Sequence, residues 1–186
     1  ETEDGLLDDT EIDAKKWVSP KTIDHMHLTF SGQAVYRVYQ QYKKTGDTQV
    51  LTLNRDIQRF IDAQNGQIVG TNSYEDACNE LKNGQKKTHW MWFVLPQLRG
   101  LGHSERAIYY GIANKEEARE YLSDTILKTR LETIVSITLT AAGHDPIALF
   151  GEVDAEKFQA SLTLFDQMTD SDLFQQALDK YFDGQR

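Results

Sequence analysis

Helix start signals recur along this sequence, and no strand–helix–strand alternation accompanies them. Ser73 precedes Asp76 by three residues, and Asn114 precedes Glu117 at the same spacing, as in the capping boxes that open helices. The Asp–Pro pair at 145–146 is a cap followed by a first-turn proline. Heptads and internal repeats are absent as well. We therefore predict an all-α fold, a single compact domain of about eight helices.

Apolar residues at helical spacing indicate which sides of these helices face a core. Two such sets are Ile57, Phe60 and Ile61, which follow the candidate cap Asn54, and Phe158, Leu162 and Phe165, which lie at i, i+4 and i+7. A last helix is expected between a cap at Ser171 and a stop at Gly184.

The longest candidate helix runs over 125–142 and ends before Gly143, a natural C-terminal stop. Its larger side chains leave it apolar on more than one face: Ile126, Arg130, Ile134, Ile137 and Leu139. We therefore predict that this helix is central and largely buried.

Charge divides the chain into unequal parts. Residues 1–13 hold seven acidic side chains and no basic one, whereas the rest holds 22 acidic and 20 basic. Such a block predicts a flexible acidic tail over 1–16. An N-terminal extension with one helix then covers 17–53, and an all-α domain covers 54–186. No part offers the basic footprint of a nucleic-acid binder, and no apolar run approaches the roughly 20 residues of a membrane span.

The only cysteine, Cys78, rules out an intramolecular disulfide and argues against a structural zinc site. We expect it to be a buried, inert thiol on a helix, and we place the protein in the cytoplasm. Phosphate-binding glycine loops, H-E-x-x-H and G-x-S-x-G are all missing. His25 and His27 are expected at the surface, so no metal site is predicted. A cofactor is neither indicated nor excluded.

The segment HWMWFVLP, residues 89–96, must be a core element because it is too apolar to be solvated on either side. As a helix it places His89 and Trp92 on one face. As a strand it places Trp90 and Trp92 on one face and the residues that alternate with them on the other. Indole and imidazole N–H groups need partners when they are buried. Plain packing is one interpretation. The other is a site wall, with Arg99, Arg106 or Lys87 as nearby positive charge.

Five stretches resemble the bacterial family called domain of unknown function 1810, which has a mycobacterial structural prototype: DIQRFIDAQ, KKTHWMWFVLPQLRGLG, YGIANKEEAREYL, KFQASLTLF and LDKYFDG. The resemblance covers about residues 54–186. It implies an all-α fold and little about activity. The shared polar positions of the family fall on His89, Gln97, Gly100, Tyr110, Lys157, Ser161 and Thr163. Many relatives carry a basic residue where this chain has Gln159.

These residues suggest a small anionic or nucleotide-like ligand, with ADP-ribose-related molecules among the candidates, in a pocket lined by Trp and His. Hydrolase or transferase activity would assign catalysis to His89 and Ser161. The expected ligand-binding residues are Trp90, Trp92, Gln97, Arg99, Tyr110, Lys157 and Thr163. Whether the protein is an enzyme is left open at this point.

The alternative is a non-catalytic interaction module that works through residues 1–53. Tyr36, Tyr39 and Tyr42 stand beside basic residues there, an aromatic and basic mixture common at interfaces. The acidic tail would steer a basic protein partner.

Overall fold

Helices begin where the capping signals in the sequence place them. Ser73 Oγ accepts a hydrogen bond from the Asp76 amide, and the Asp76 carboxylate accepts one from the Ser73 amide. Asn114 likewise accepts from the Glu117 amide, although the Glu117 carboxylate reaches past Asn114 to the Ala113 amide. Local hydrogen bonding therefore fixes these helix starts, as the spacing of the residues predicts.

The computed structural model describes residues 57–68 and 72–186. Nine helices follow one another in that part of the chain: α1 Gln58–Gln64, α2 Tyr74–Lys82, α3 Met91–Val94, α4 Glu105–Tyr110, α5 Lys115–Ser123, α6 Thr125–Thr140, α7 Pro146–Phe150, α8 Glu152–Asp166 and α9 Leu173–Phe182. The β structure described among them is an isolated parallel bridge between Leu98 and Ile112. The predicted all-α fold is confirmed.

Helix α6 is the central element, as predicted. It packs against α1, α2, α3, α5 and α9. One stripe of its surface is buried: Leu127, Leu131, Ile134, Val135 and Thr138. The prediction that the helix is largely buried is wrong, because only this stripe is enclosed and Ile126, for example, is 49% exposed. Ile126 projects about 100° around the helix from Leu127 and so leaves the buried stripe.

Helices α8 and α9 complete the core. Phe158, Leu162 and Phe165 are buried as predicted, and Phe158 packs on Phe150 with ring centroids 4.5 Å apart. The predicted cap of α9 is displaced by one residue: Asp172 occupies the cap position, and Ser171 Oγ accepts a hydrogen bond from the Leu173 amide.

Helix α1 buries a different face from the predicted one. Phe60 is fully buried, but Ile57 and Ile61 are only half-buried. Arg59 is buried instead, and its guanidinium pairs with Glu117 at 2.6 Å. A buried arginine with an ion-pair partner can occupy a core-facing position that the apolar pattern assigns to isoleucine.

The described residues belong to a unit that spans Asp56–Arg186. The predicted cap Asn54, His25, His27, the acidic tail and the N-terminal extension lie outside the described residues, so the proposed domain boundaries stay predictions. Within the described part, no helix combines the length and apolar character that a bilayer span requires.

Candidate functional site

The segment HWMWFVLP forms one helical turn, α3, with its flanks buried in the core. Trp90, Met91, Phe93, Val94 and Leu95 are at most 1% exposed, which confirms the prediction of a core element. Two side chains of the segment are exceptions, since Trp92 is only half-buried and His89 is exposed. The two tryptophans therefore lie in different environments.

Trp90 is held by a carboxylate that collects four hydrogen bonds. Glu80 accepts from the Trp90 indole nitrogen at 2.7 Å, from the Lys87 and Thr88 amides and from the Thr88 hydroxyl. Burial alone would raise the pKa of Glu80, but these donors outweigh burial and lower the pKa below its ordinary value. Trp90 is thus a core residue whose polar group is satisfied by α2.

Trp92 lies on the wall of an open cavity of about 570 Å³ between α3, α4 and α8. The residues that line the cavity are Trp92, Gln97, Leu101, Gly102, His103, Ser104, Ala107, Val153, Glu156, Lys157 and Ala160. The volume falls within the range typical of small-molecule sites. Three residues predicted to bind a ligand, Trp92, Gln97 and Lys157, meet here.

Two cations lie against the same indole ring. The Lys157 Nζ atom and the Arg106 Cζ atom are each 5.3 Å from the Trp92 ring centroid. The Lys157 Nζ atom and the Arg106 Cζ atom are therefore separated by no more than twice that distance. The His89 ring stacks at a tilt beside Trp92, with the ring centroids 6.2 Å apart. His89 is exposed and does not belong to the cavity lining.

Asp154 joins Lys157 to a second lysine. Its two carboxylate oxygens are each 2.6 Å from an ammonium nitrogen, one on Lys157 and one on Lys86. Burial alone would raise the pKa of Asp154, but the hydrogen bonds and charges of Lys157 and Lys86 outweigh it and lower that pKa. Lys86 also donates to the Thr88 carbonyl at 2.7 Å and lies 5.3 Å from the Trp90 ring centroid.

The loop between α3 and α4 forms one edge of the cavity. Gly100 has a φ of +100°, which favours glycine, and Gly102 approaches α4 so closely that a Cβ atom there would lie 2.7 Å from the Ala107 Cβ. Arg99 fixes the loop, because its guanidinium donates to the carbonyls of Ile108 and Gly111. The loop glycines of GLGHSE thus shape the cavity edge.

The other predicted site residues lie apart from the cavity lining. Tyr110 is fully buried between Phe60 and Phe93. Thr163 donates to the Gln159 carbonyl one turn earlier in α8. Ser161 is fully buried, and its hydroxyl makes no hydrogen bond within the described residues. The catalytic roles suggested for His89 and Ser161 stay predictions.

Sequence reasoning missed several residues of this site. His103, Ser104 and Glu156 line the cavity, and Asp154 holds the lysine that faces it. The Asp154–Lys157 spacing of i, i+3 was a usable signal, because side chains at that spacing are neighbours on a helix. The ion pair between Asp154 and Lys86 could not be predicted from sequence spacing, because the two residues lie far apart in the chain.

Fold and cavity together describe an all-α domain with an open cavity whose lining includes Trp92 and Lys157. The chain belongs to the protein family of unknown function DUF1810, whose model matches residues 54–186, and the predicted family resemblance is thereby confirmed. Among solved structures it is similar to the conserved hypothetical protein Rv1873 from Mycobacterium tuberculosis, with 39% identity and a TM-score of 0.65, over 70% of this chain and 90% of that one. No curated protein matches the chain.

Proposed function

We propose that this domain binds a small anionic ligand in the cavity beside Trp92. The observation that carries the proposal is the placement of two cations, Lys157 and Arg106, at 5.3 Å from one half-buried indole. A partly desolvated ammonium and guanidinium attract a phosphate or carboxylate more strongly than exposed cations do. Because Lys157 lines the cavity, an anion can contact its ammonium group without being fully solvated.

The ligand that fits best carries a planar ring as well as the anionic group. The exposed part of the Trp92 indole offers a flat apolar surface on which a ring can stack. Gln97 and His103 in the lining offer hydrogen-bonding groups for a polar ring edge. Nucleotide-like molecules combine these features, and ADP-ribose-related molecules are candidates. Since Ser161 is fully enclosed, the proposal is for binding and assigns no bond-breaking step.

The test is isothermal titration of the full chain with adenosine monophosphate, ADP-ribose and inorganic phosphate. We expect Lys157→Met and Trp92→Ala each to weaken binding by about tenfold or more, the loss of one charge-assisted or stacking contact. Lys128→Met is the matched control, because Lys128 is half-exposed on α6 in a loose pair with Glu132 at 3.9 Å. Equal affinities for Lys157→Met and Lys128→Met, or no binding by the unmodified chain, would refute the proposal.

We also propose that the protein is located in the cytoplasm. This location is supported by Cys78, which lies buried in α2 as a free thiol. A buried free cysteine is compatible with a reducing compartment. Cell fractionation with an antibody to the chain tests this placement.

A further inference from the structure

A single carboxylate, Asp154, holds two lysines at the edge of the cavity. Each of its oxygens is 2.6 Å from an ammonium nitrogen, and the side chains of Asp154 and Lys157 are both only 18% exposed. Lys86 is more enclosed still, with 8% of its side chain exposed. This bridge is therefore not a solvated surface pair of the kind that contributes little to structure.

The bridge connects the cavity to the rigid core. Lys86 is fixed by Asp154, by the Thr88 carbonyl and by the face of Trp90. Trp90 in turn is anchored on Glu80. A free lysine samples many rotamers, and its ammonium has no defined position. Through Asp154, the ammonium of Lys157 instead keeps one position, next to Trp92.

We infer, on the basis of the function proposed above, that Asp154 is the positioning residue that gives this cavity its selectivity. It fixes the Lys157 ammonium relative to the Trp92 ring, so that the cavity favours a phosphate or carboxylate attached to a planar ring over the same anion free in solution. A free anion needs only nearby positive charge. A ring-bearing anion needs the charge and the stacking surface at a fixed separation, and binding energy from both is gained only when they are held in place.

A matched pair of substitutions separates positioning from charge. Asp154→Asn and Glu156→Gln each remove one negative charge and nearly conserve shape. Glu156 lines the cavity but forms no ion pair within the described residues, whereas Asp154 forms two. An asparagine offers a single acceptor oxygen to the two ammonium groups, so Lys157 loses its fixed position.

The probes are adenosine monophosphate, adenosine and inorganic phosphate, titrated calorimetrically into each folded variant. For Glu156→Gln we expect both anions to bind equally well or a few-fold more tightly, because repulsion is removed. For Asp154→Asn we expect the preference for adenosine monophosphate over phosphate to fall by about tenfold, the usual cost of misplacing one charge-assisted contact. If the two variants change this preference alike, Asp154 supplies only charge and the inference is overturned.

A second measurement needs no ligand. An ammonium held by a carboxylate exchanges its protons slowly enough to give a nitrogen-15 correlated resonance at low temperature, and Lys157→Arg assigns it. We expect the Lys157 resonance in the unmodified chain and in Glu156→Gln, and its loss in Asp154→Asn. Its persistence in Asp154→Asn would overturn the positioning role. Failure of the unmodified chain to bind adenosine monophosphate would refute the proposed function and the selectivity, while the resonance would still decide whether Asp154 holds Lys157.

Discussion

The indole nitrogen of Trp90 donates to a Glu80 carboxylate oxygen at 2.7 Å, and this bond joins the α3 segment to α2 across ten positions of the chain. The same carboxylate accepts from the two amides that precede the segment. Trp92, two residues further, faces the cavity instead. One tryptophan therefore stabilises the fold, and the other lines the cavity.

Substitution of each tryptophan by phenylalanine should separate these roles. Trp90→Phe removes a buried hydrogen bond and leaves a void, so we expect a loss of about 2 to 4 kcal/mol in the free energy of unfolding. Trp92→Phe removes a half-buried ring edge, and we expect a loss of less than about 1 kcal/mol. Urea unfolding followed by circular dichroism measures both. Equal losses would show that Trp92 is as structural as Trp90.

Glu80 should make the protein acid-sensitive. Its pKa is lowered in the folded state, so its stabilising contribution is present above the ordinary carboxyl pKa and is lost as the pH falls through the lowered value. We expect Glu80→Gln to be less stable than the unmodified chain at pH 7 by about 1 to 3 kcal/mol, the usual worth of bonds to a charged group. The gap between the two proteins should narrow as the pH falls below the ordinary carboxyl pKa and through the lowered pKa of Glu80, because the carboxylate protonates over that interval.

Glu75→Gln is the control for this experiment, because Glu75 lies exposed on the same helix. It should change stability by only a few tenths of a kcal/mol, the size of a first-turn charge effect. Urea midpoints between pH 3 and pH 7 provide the comparison. A gap between Glu80→Gln and the unmodified chain that stays constant over this range would contradict a charge-dependent role.

Local features of the fold could be predicted from the sequence because their causes are local. The Ser73–Asp76 box and the apolar spacing of Phe158, Leu162 and Phe165 act within one or two helical turns. The burial of Arg59 could not be predicted, since it depends on Glu117, which lies far along the chain on α5. The spacing of apolar residues along one helix carries no information about an ion pair with a distant helix.

The candidate site was predictable to a smaller extent. Residue type alone pointed to Trp92 and Lys157, and the structure brings these two together. Residue type could not show that Ser161 is enclosed or that Trp90 points away from the cavity, because both depend on how α8 and α3 are rotated in the fold. Asp154 cannot be singled out from the sequence because acidic residues are abundant, and only its two lysine partners in the fold distinguish it.

Gly102 should be required for the shape of the cavity edge. A Cβ atom at this position would lie 2.7 Å from the Ala107 Cβ, which forces either the loop or α4 to move. We expect Gly102→Ala to cost about 1 to 3 kcal/mol, as overpacking does, and to weaken binding of adenosine monophosphate. Thermal unfolding and calorimetry measure the two effects.

A double substitution tests the cause of that loss. Ala107→Gly removes the Cβ that the new methyl group meets, although glycine within α4 carries its own cost of about 1 kcal/mol. If the clash is responsible, Gly102→Ala with Ala107→Gly should be more stable than the sum of the single losses implies. Simple additivity would mean that Gly102 is required for some other reason.

The buried pair of Arg59 and Glu117 should be one of the costliest polar contacts to break. The Arg59 side chain is 1% exposed and that of Glu117 is 11% exposed, with a separation of 2.6 Å. Removing one partner leaves a charge in a poorly solvated place, so we expect Arg59→Met or Glu117→Gln alone to cost about 3 to 5 kcal/mol. The double variant should lose much less stability than the sum of the two single losses, because no unpaired charge remains.

Lys128→Met is the control for this experiment. It breaks an exposed pair, 3.9 Å long, and should cost less than about 0.5 kcal/mol. Urea unfolding of the four variants decides the matter, and additive losses for Arg59 and Glu117 would show that the two side chains act independently.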